Sequence, residues 1–228
     1  MDKRGRVRLL GRSPSGRRGS TIEPMVRVKV CGITNPEDAR TAAMAGADAV
    51  GLVFAESPRK LTEERAREVV AALPGHLLKV GVFVNSEPEE MLRISAEVGL
   101  DYVQLHGDES PESVTIVREG GVKVMKALRV QDAGSLERME GYEADLFLLD
   151  ACSEKAWGGT GERFDWALAK SLKRRGNILV SGGLAPENVR EAVRFFEPYG
   201  VDASSSLEDA PGKKNEERVR RFVSAAKG

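Results

Sequence analysis

From residue 25 onward, short apolar runs alternate with longer charged segments of helical period. Eight runs read as strands: 26–30, 49–54, 77–84, 102–105, 123–127, 146–149, 178–180 and 201–203. They are rich in Val, Leu and Ile and mostly continuous, as expected of parallel strands covered on both faces. Amphipathic segments such as 62–72, 88–98, 186–195 and 215–226 lie between them. Ser86 and Pro88, Ser110 and Pro111, and Ala185 and Pro186 mark helix starts. Eight strand–helix units of near-even spacing predict an α/β fold, a single (β/α)8 TIM barrel over 25–228. An open doubly wound sheet is the structural rival.

Composition narrows the class. The 228 residues, 41% hydrophobic, suffice for one substantial core. No run of about 18 apolar residues exists, which excludes a membrane-spanning helix. Two cysteines, Cys31 and Cys152, are too few for a disulfide scaffold, and the chain reads as cytoplasmic and reduced. Two histidines and no CxxC or HExxH spacing argue against a zinc site. Charged residues at 31% with two glutamines suggest a heat-adapted surface of ion pairs. The zero net charge hides an asymmetry. Residues 1–24 carry seven Lys or Arg against Asp2 and Glu23, and read as a disordered basic extension. That segment fits an inert extension ahead of Met25, a polyanion-binding arm or a targeting segment.

In such a barrel the chemistry sits at the C-terminal strand ends. Cys31 follows the first run and Arg59 lies beyond the second. Asn85 follows the third, His106 the fourth and Asp150 the sixth. Cys31 also precedes a helix-opening cluster, Thr34 or Asn35 then Pro36, Glu37 and Asp38. A thiol near a helix N-terminus ionises more readily, although a small buried core cysteine is the commoner case. Small residues follow the last strands: Ser181, Gly182 and Gly183, then Ser204, Ser205 and Ser206. A further glycine loop carries Gly159 and Gly161. Such loops let backbone N–H groups approach a phosphate, where single ones would be only tight turns.

The motifs VKVCGITNPEDA, GADAVGLVF, SPRKLT, VGVFVN, YVQLHGDE, LLD, GGTGERFDW, SGGLAPENV and VDASS…E…PGKK stand in this order from Met25 to the C-terminus. In them the chain resembles the phosphoribosylanthranilate isomerases of tryptophan biosynthesis. The resemblance implies a (β/α)8 barrel with no cofactor or metal, acting on a small phosphorylated substrate, as a monomer or homodimer without membrane or nucleic-acid partners. It implies conversion of N-(5'-phosphoribosyl)anthranilate into 1-(2-carboxyphenylamino)-1-deoxyribulose 5-phosphate, an Amadori rearrangement. It makes Cys31 the general base, Asp150 the general acid and Arg59 the partner of the anthranilate carboxylate.

That chemistry suits these groups. Opening a furanose needs a proton on the ring oxygen, which a carboxylic acid of raised pKa supplies. The resulting iminium acidifies the neighbouring C–H, and a thiolate can take that proton. Arg59 offers a planar fork for a carboxylate. The plain alternatives are an N-cap role for Asp150 and a surface ion pair for Arg59. His106, with Gln104 two residues before it on the same strand face, either orients substrate or is a satisfied polar residue. The family's usual DVSSGVE reads here as Asp202-Ala-Ser-Ser-Ser206-Leu-Glu208. If that glycine needs positive φ, Ser206 carries strain of about 1 kcal/mol. Rival functions are a histidine-pathway isomerase, which uses two aspartates, a silent metabolite-binding barrel, and a polyanion binder working through residues 1–24.

Overall fold

The computed structural model describes residues 26–129, 138–150 and 176–228. Eight parallel strands close in sequence order: β1 (Arg27–Cys31), β2 (Ala49–Val53), β3 (Leu78–Phe83), β4 (Tyr102–Leu105), β5 (Lys123–Arg129), β6 (Leu146–Asp150), β7 (Ile178–Ser181) and β8 (Gly200–Ala203). Pairing of β8 back to β1, with Lys29 opposite Asp202, removes the open-sheet alternative. Three candidate residues end a strand instead of following one. Cys31 still pairs with Gly51, and Asp150 with Arg129 and Ser181, so each ladder runs one residue further than the apolar run.

Six α-helices occur among the described residues: α1 (Pro36–Met44), α2 (Glu63–Ala71), α3 (Pro88–Val98), α4 (Pro111–Glu119), α5 (Val189–Phe196) and α6 (Glu216–Lys227). Side chains of Asn35, Thr62, Ser110 and Asn215 each accept a first-turn N–H, satisfying one otherwise orphaned donor. Two expected helix starts shift. Glu87, without a side-chain cap bond, stands before Pro88 where Ser86 was expected. Pro186 lies outside α5, because Asn188 accepts the Ala185 N–H and donates to the Gly183 carbonyl, binding those residues into the loop. After β8 come a 3-10 turn (Ser205–Leu207) and a small hairpin of β9 (Glu208–Ala210) and β10 (Lys213–Lys214).

Alternation along each strand divides the core. Outward residues such as Val28, Val30, Leu52 and Leu105 meet the helices, with Phe83 and Phe222 fully buried among them. Inside the barrel, Ala49, Val80 and Tyr102 fill the N-terminal end; Met125, Ala127, Leu148 and Leu179 fill the middle. Val53 and Val82 pack with Cys31 near the C-terminal end. On the outside, Arg93 bridges Glu63 of α2 and Glu97 of α3, and holds the half-buried Glu63 carboxyl at about 2. No helix among the described residues is long and apolar enough to cross a membrane.

A buried clasp fixes the loops after β3 and β4. Lys126 Nζ donates to the Gly107 carbonyl and Glu109 Oε2, both at 2.7 Å, and to the Leu105 carbonyl at 3.3 Å. Glu109 Oε1 accepts the N–H groups of Asn85 and Gly107. Asn85 takes a left-handed conformation (φ 52°), which asparagine tolerates, and its Oδ1 accepts the Asp108 N–H. Burial pushes the Glu109 carboxyl up, but Lys126 and the backbone donors outweigh it and hold the group below its ordinary value.

Phe222→Ala should lower unfolding free energy by about 3–5 kcal/mol in denaturant titration, because its site is closed on all sides. The depressed Glu109 carboxyl contributes stability that is present above its unfolded pKa of about 4.3 and lost as pH falls below it. Denaturant midpoints should therefore drop below about pH 4.5. Glu109→Gln should flatten that dependence while destabilising the protein at pH 7, where Lys126 loses its buried partner.

Candidate active site

The last residue of β1 is a thiol set against a strand with no side chain. A Cβ at Gly51 of β2 would lie 2.5 Å from Cys31 Sγ, so the glycine is what gives the sulfur room. Cys31 is 9% exposed, at the upper limit of the interior. Its thiol does not sit low, as the nearby helix start suggested. Burial pushes it up, Lys29 pulls it down, Asp202 pushes it up again and Lys214 pulls it down; the outcome is above the ordinary value. The α1 N-terminus begins five residues beyond the thiol, at Pro36, and burial wins.

Arg59, in the β2–α2 loop, crosses to the far side of the barrel seam. Its Nε and Nη2 donate to the two Glu208 carboxylate oxygens at 2.8 and 2.6 Å, a two-pronged pair. Glu208 also accepts from Lys214 Nζ at 2.7 Å, and that ammonium donates to the Ser204 carbonyl at 3.2 Å. The Arg59 stem passes close over Gly32 (φ 76°), where a Cβ would sit 2.5 Å from Arg59 Cδ. Arg59 thus belongs to a partly buried ion cluster beside Cys31 and is not a free surface pair. One edge of its guanidinium is engaged by Glu208, and its side chain keeps 20% exposure.

Across the mouth, His106 follows β4 and Asp150 ends β6. His106 Nε2 lies 3.8 Å from Asp150 Oδ2. Its Nδ1 is 2.6 Å from Gln104 Nε2, an amide buried inside the barrel. With the amide donating there, the ring proton stands on Nε2, facing Asp150. Gln104 Oε1 has no partner among the described residues, so only one end of that amide is used. A cavity of about 530 Å³ opens at this end, lined by Asn85, His106, Arg129, Tyr142 and Asp150 among others. Cys31 and Arg59 are not in its lining and stand on the other side of the mouth.

The loops after β7 and β8 are built of small residues. Gly182 (φ 87°) and Gly183 (φ 65°) are both left-handed, a conformation that glycine takes without strain. Ser181 Oγ donates to Asp202 Oδ2 at 3.3 Å and is turned inward. Ser204 and Ser206 are half-buried and Ser205 is exposed. Ser206 lies in the 3-10 turn and is absent from the positive-φ residues, so the strain condition does not arise. Its hydroxyl donates to the Leu184 carbonyl, tying the two loops together. Gly159, Gly161 and Cys152 lie outside the described residues.

Four ionisable residues at this mouth were given no role from sequence: Lys29, Asp202, Glu208 and Lys214. Lys29 carried the best signal. A lysine inside an apolar strand, two residues before Cys31, must share its face of the sheet. Glu208 and Lys214 sit within a quoted motif, yet only the hairpin that folds them back makes them neighbours of Arg59.

A family model described as N-(5'phosphoribosyl)anthranilate (PRA) isomerase matches residues 28–225. An N-(5'-phosphoribosyl)anthranilate isomerase of Rubrobacter xylanophilus is 68% identical over 205 residues, covering 89% of this chain and 100% of that one. The crystal structure of phosphoribosyl anthranilate isomerase from Thermotoga maritima superposes with a TM-score of 0.82 at 44% identity, over 90% of this chain and 100% of the other. A phosphoribosyl anthranilate isomerase in complex with reduced 1-(o-carboxyphenylamino)-1-deoxyribulose 5-phosphate gives 0.79 at 42%, with the same coverage of both chains. With the motifs, the closed barrel and these matches in agreement, the chain belongs to the N-(5'-phosphoribosyl)anthranilate isomerase family.

Proposed function

We propose that this isomerase carries out the Amadori rearrangement of N-(5'-phosphoribosyl)anthranilate to 1-(2-carboxyphenylamino)-1-deoxyribulose 5-phosphate in tryptophan biosynthesis, with Asp150 as general acid and Cys31 as general base. The observation that carries this reading is the pairing of a thiol at the end of β1 with a carboxyl at the end of β6, on one rim of a closed barrel. Protonated Asp150 donates to the furanose ring oxygen as the C–O bond breaks, leaving an open-chain iminium. The Cys31 thiolate then removes the proton from the adjacent ribose carbon, and the electron pair moves to the iminium nitrogen to give the enolamine. Tautomerisation to the ketone places a proton on the former anomeric carbon and releases one from the hydroxyl. No oxidant or cofactor enters this balance.

Binding follows from the same rim. The N–H groups of the Gly182–Gly183 turn and the backbone of Ser204, Ser205 and Ser206 hold the phosphate, and Ser181 braces that turn through Asp202. Gly159 and Gly161 are assigned to the same phosphate by the quoted GGTGERFDW motif alone. Arg59, its other edge taken by Glu208, presents its free edge to the anthranilate carboxylate. Gln104 and His106 orient the sugar beside Asp150. Residues 1–24 lie outside the family match and serve as an extension to the barrel domain of 25–228.

Loss of substrate fluorescence on mixing with fresh phosphoribosylanthranilate reads this activity directly. Cys31→Ala and Asp150→Asn should each reduce turnover by about 10²-fold or more with the fold intact by circular dichroism. Turnover unchanged in either variant would remove that residue from its role. Because burial raises the Cys31 thiol, its alkylation by iodoacetamide in a Cys152→Ser background, which needs the thiolate alone, should climb with pH through and above the ordinary thiol value of about 8.5, while kcat/KM, which also needs protonated Asp150, should be bell-shaped. Ser206→Gly should leave turnover within about twofold, since Ser206 is unstrained, while lowering Tm by a few degrees through loss of the Leu184 bond.

A further inference from the structure

Lys29 is a lysine almost completely enclosed by protein, its side chain 1% exposed. Its Nζ lies 2.9 Å from Asp202 Oδ1, and the Asp202 side chain is 6% exposed. An enclosed ion pair of this kind gives up much of its hydration, so stability alone favours apolar residues there. Its location is specific. Lys29 and Cys31 are separated by one residue on β1 and face the same interior, and Asp202 is the β8 residue in register with Lys29. Burial works against the Lys29 charge, but Asp202 and Cys31 outweigh it, leaving the ammonium favoured.

The charges around the sulfur do not cancel. Lys29 faces it from β1, Lys214 from β10 and Arg59 from the β2–α2 loop. Asp202 and Glu208 are the carboxylates paired with them. From β2 and β3 come Gly51, Val53 and Val82, which carry no charge. Three cations against two carboxylates leave one positive charge in a poorly hydrated corner. A thiolate at Cys31 completes that balance.

We propose that Lys29 is the positioning residue of the general base: its ammonium, fixed by Asp202 across the barrel seam, holds the counter-charge against which the Cys31 thiolate forms. Lys29 transfers no proton. It stays an ammonium while Cys31 cycles between thiolate and thiol, and Asp202 keeps it aimed along the interior when the sulfur becomes neutral. This rests on the reading of Cys31 as the base, and it specifies what makes an enclosed thiol serviceable.

The test follows the thiol itself. In a Cys152→Ser background Cys31 is the chain's one sulfhydryl, and its rate of alkylation by iodoacetamide is measured against pH. Lys29→Met should move the midpoint upward, with about tenfold or more less thiolate at a given pH, and kcat/KM should shift along the same axis. Lys29→Arg should return most of the shift. Because Lys29→Met strands a buried carboxylate, the Lys29→Met/Asp202→Asn double variant provides a neutral, same-shape control. There the midpoint should still rise, though less, since the opposing push of Asp202 is removed too. An unmoved alkylation midpoint in the folded variants would overturn the proposal. A moved midpoint with an unmoved kcat/KM profile would leave Lys29 acting on the thiol and overturn Cys31 as the base.

Discussion

Closure of β8 on β1 is the constraint from which the other features follow. A barrel needs every strand to find two neighbours, and the seam is the place where the two ends of the chain must agree on register. Lys29 opposite Asp202 makes that agreement strict. A slip of one residue would set Lys29 against Val201 or Ala203 and leave an ammonium and a carboxylate buried apart. The pair therefore selects one alignment at a cost in hydration. The same alignment brings Cys31, Ser204 and the Arg59–Glu208–Lys214 cluster to one side of the rim.

The rim has two halves of different character. Around β3 to β5 the loops are held by a lysine whose three donors are all used and by an asparagine in a left-handed turn. This half contains His106 and borders the cavity that reaches Asp150. The half around β8 and β1 is held by alternating charges, with the thiol enclosed among them. An acid needs a place where a proton is easily given, and a base needs a charge-stabilising surround. Separating the two environments across one small mouth gives the carboxyl and the thiol different surroundings.

Much of this was legible in the sequence. Continuous Val- and Leu-rich runs reported strands covered on both faces, and their number and spacing reported the barrel. The apolar run marked where β6 stops being buried, which located Asp150 to within one residue. Less legible were the features made by distant contact. Nothing local shows that Glu208 takes one edge of Arg59, because 149 residues of chain separate them. The thiol's environment is hidden from the local sequence for a related reason. The nearby helix start is visible in Thr34 to Asp38, whereas the burial that outweighs it depends on Gly51 and Val82 from other strands. Ser206 reads as strained only beside the glycine it replaces, whereas its backbone angle is set by the 3-10 turn around it.

The seam also sets a schedule for biosynthesis. Lys29 and Asp202 are 173 residues apart, and at about 5–20 residues per second roughly 9–35 s of translation separate them. Through that interval the ammonium has no carboxylate to accompany it indoors, so β1 stays hydrated and unpaired on its β8 side. The first-made strand is thus among the last to be sealed. Until β8 is made, the β8 side of β1 is an edge that a strand of another chain could take.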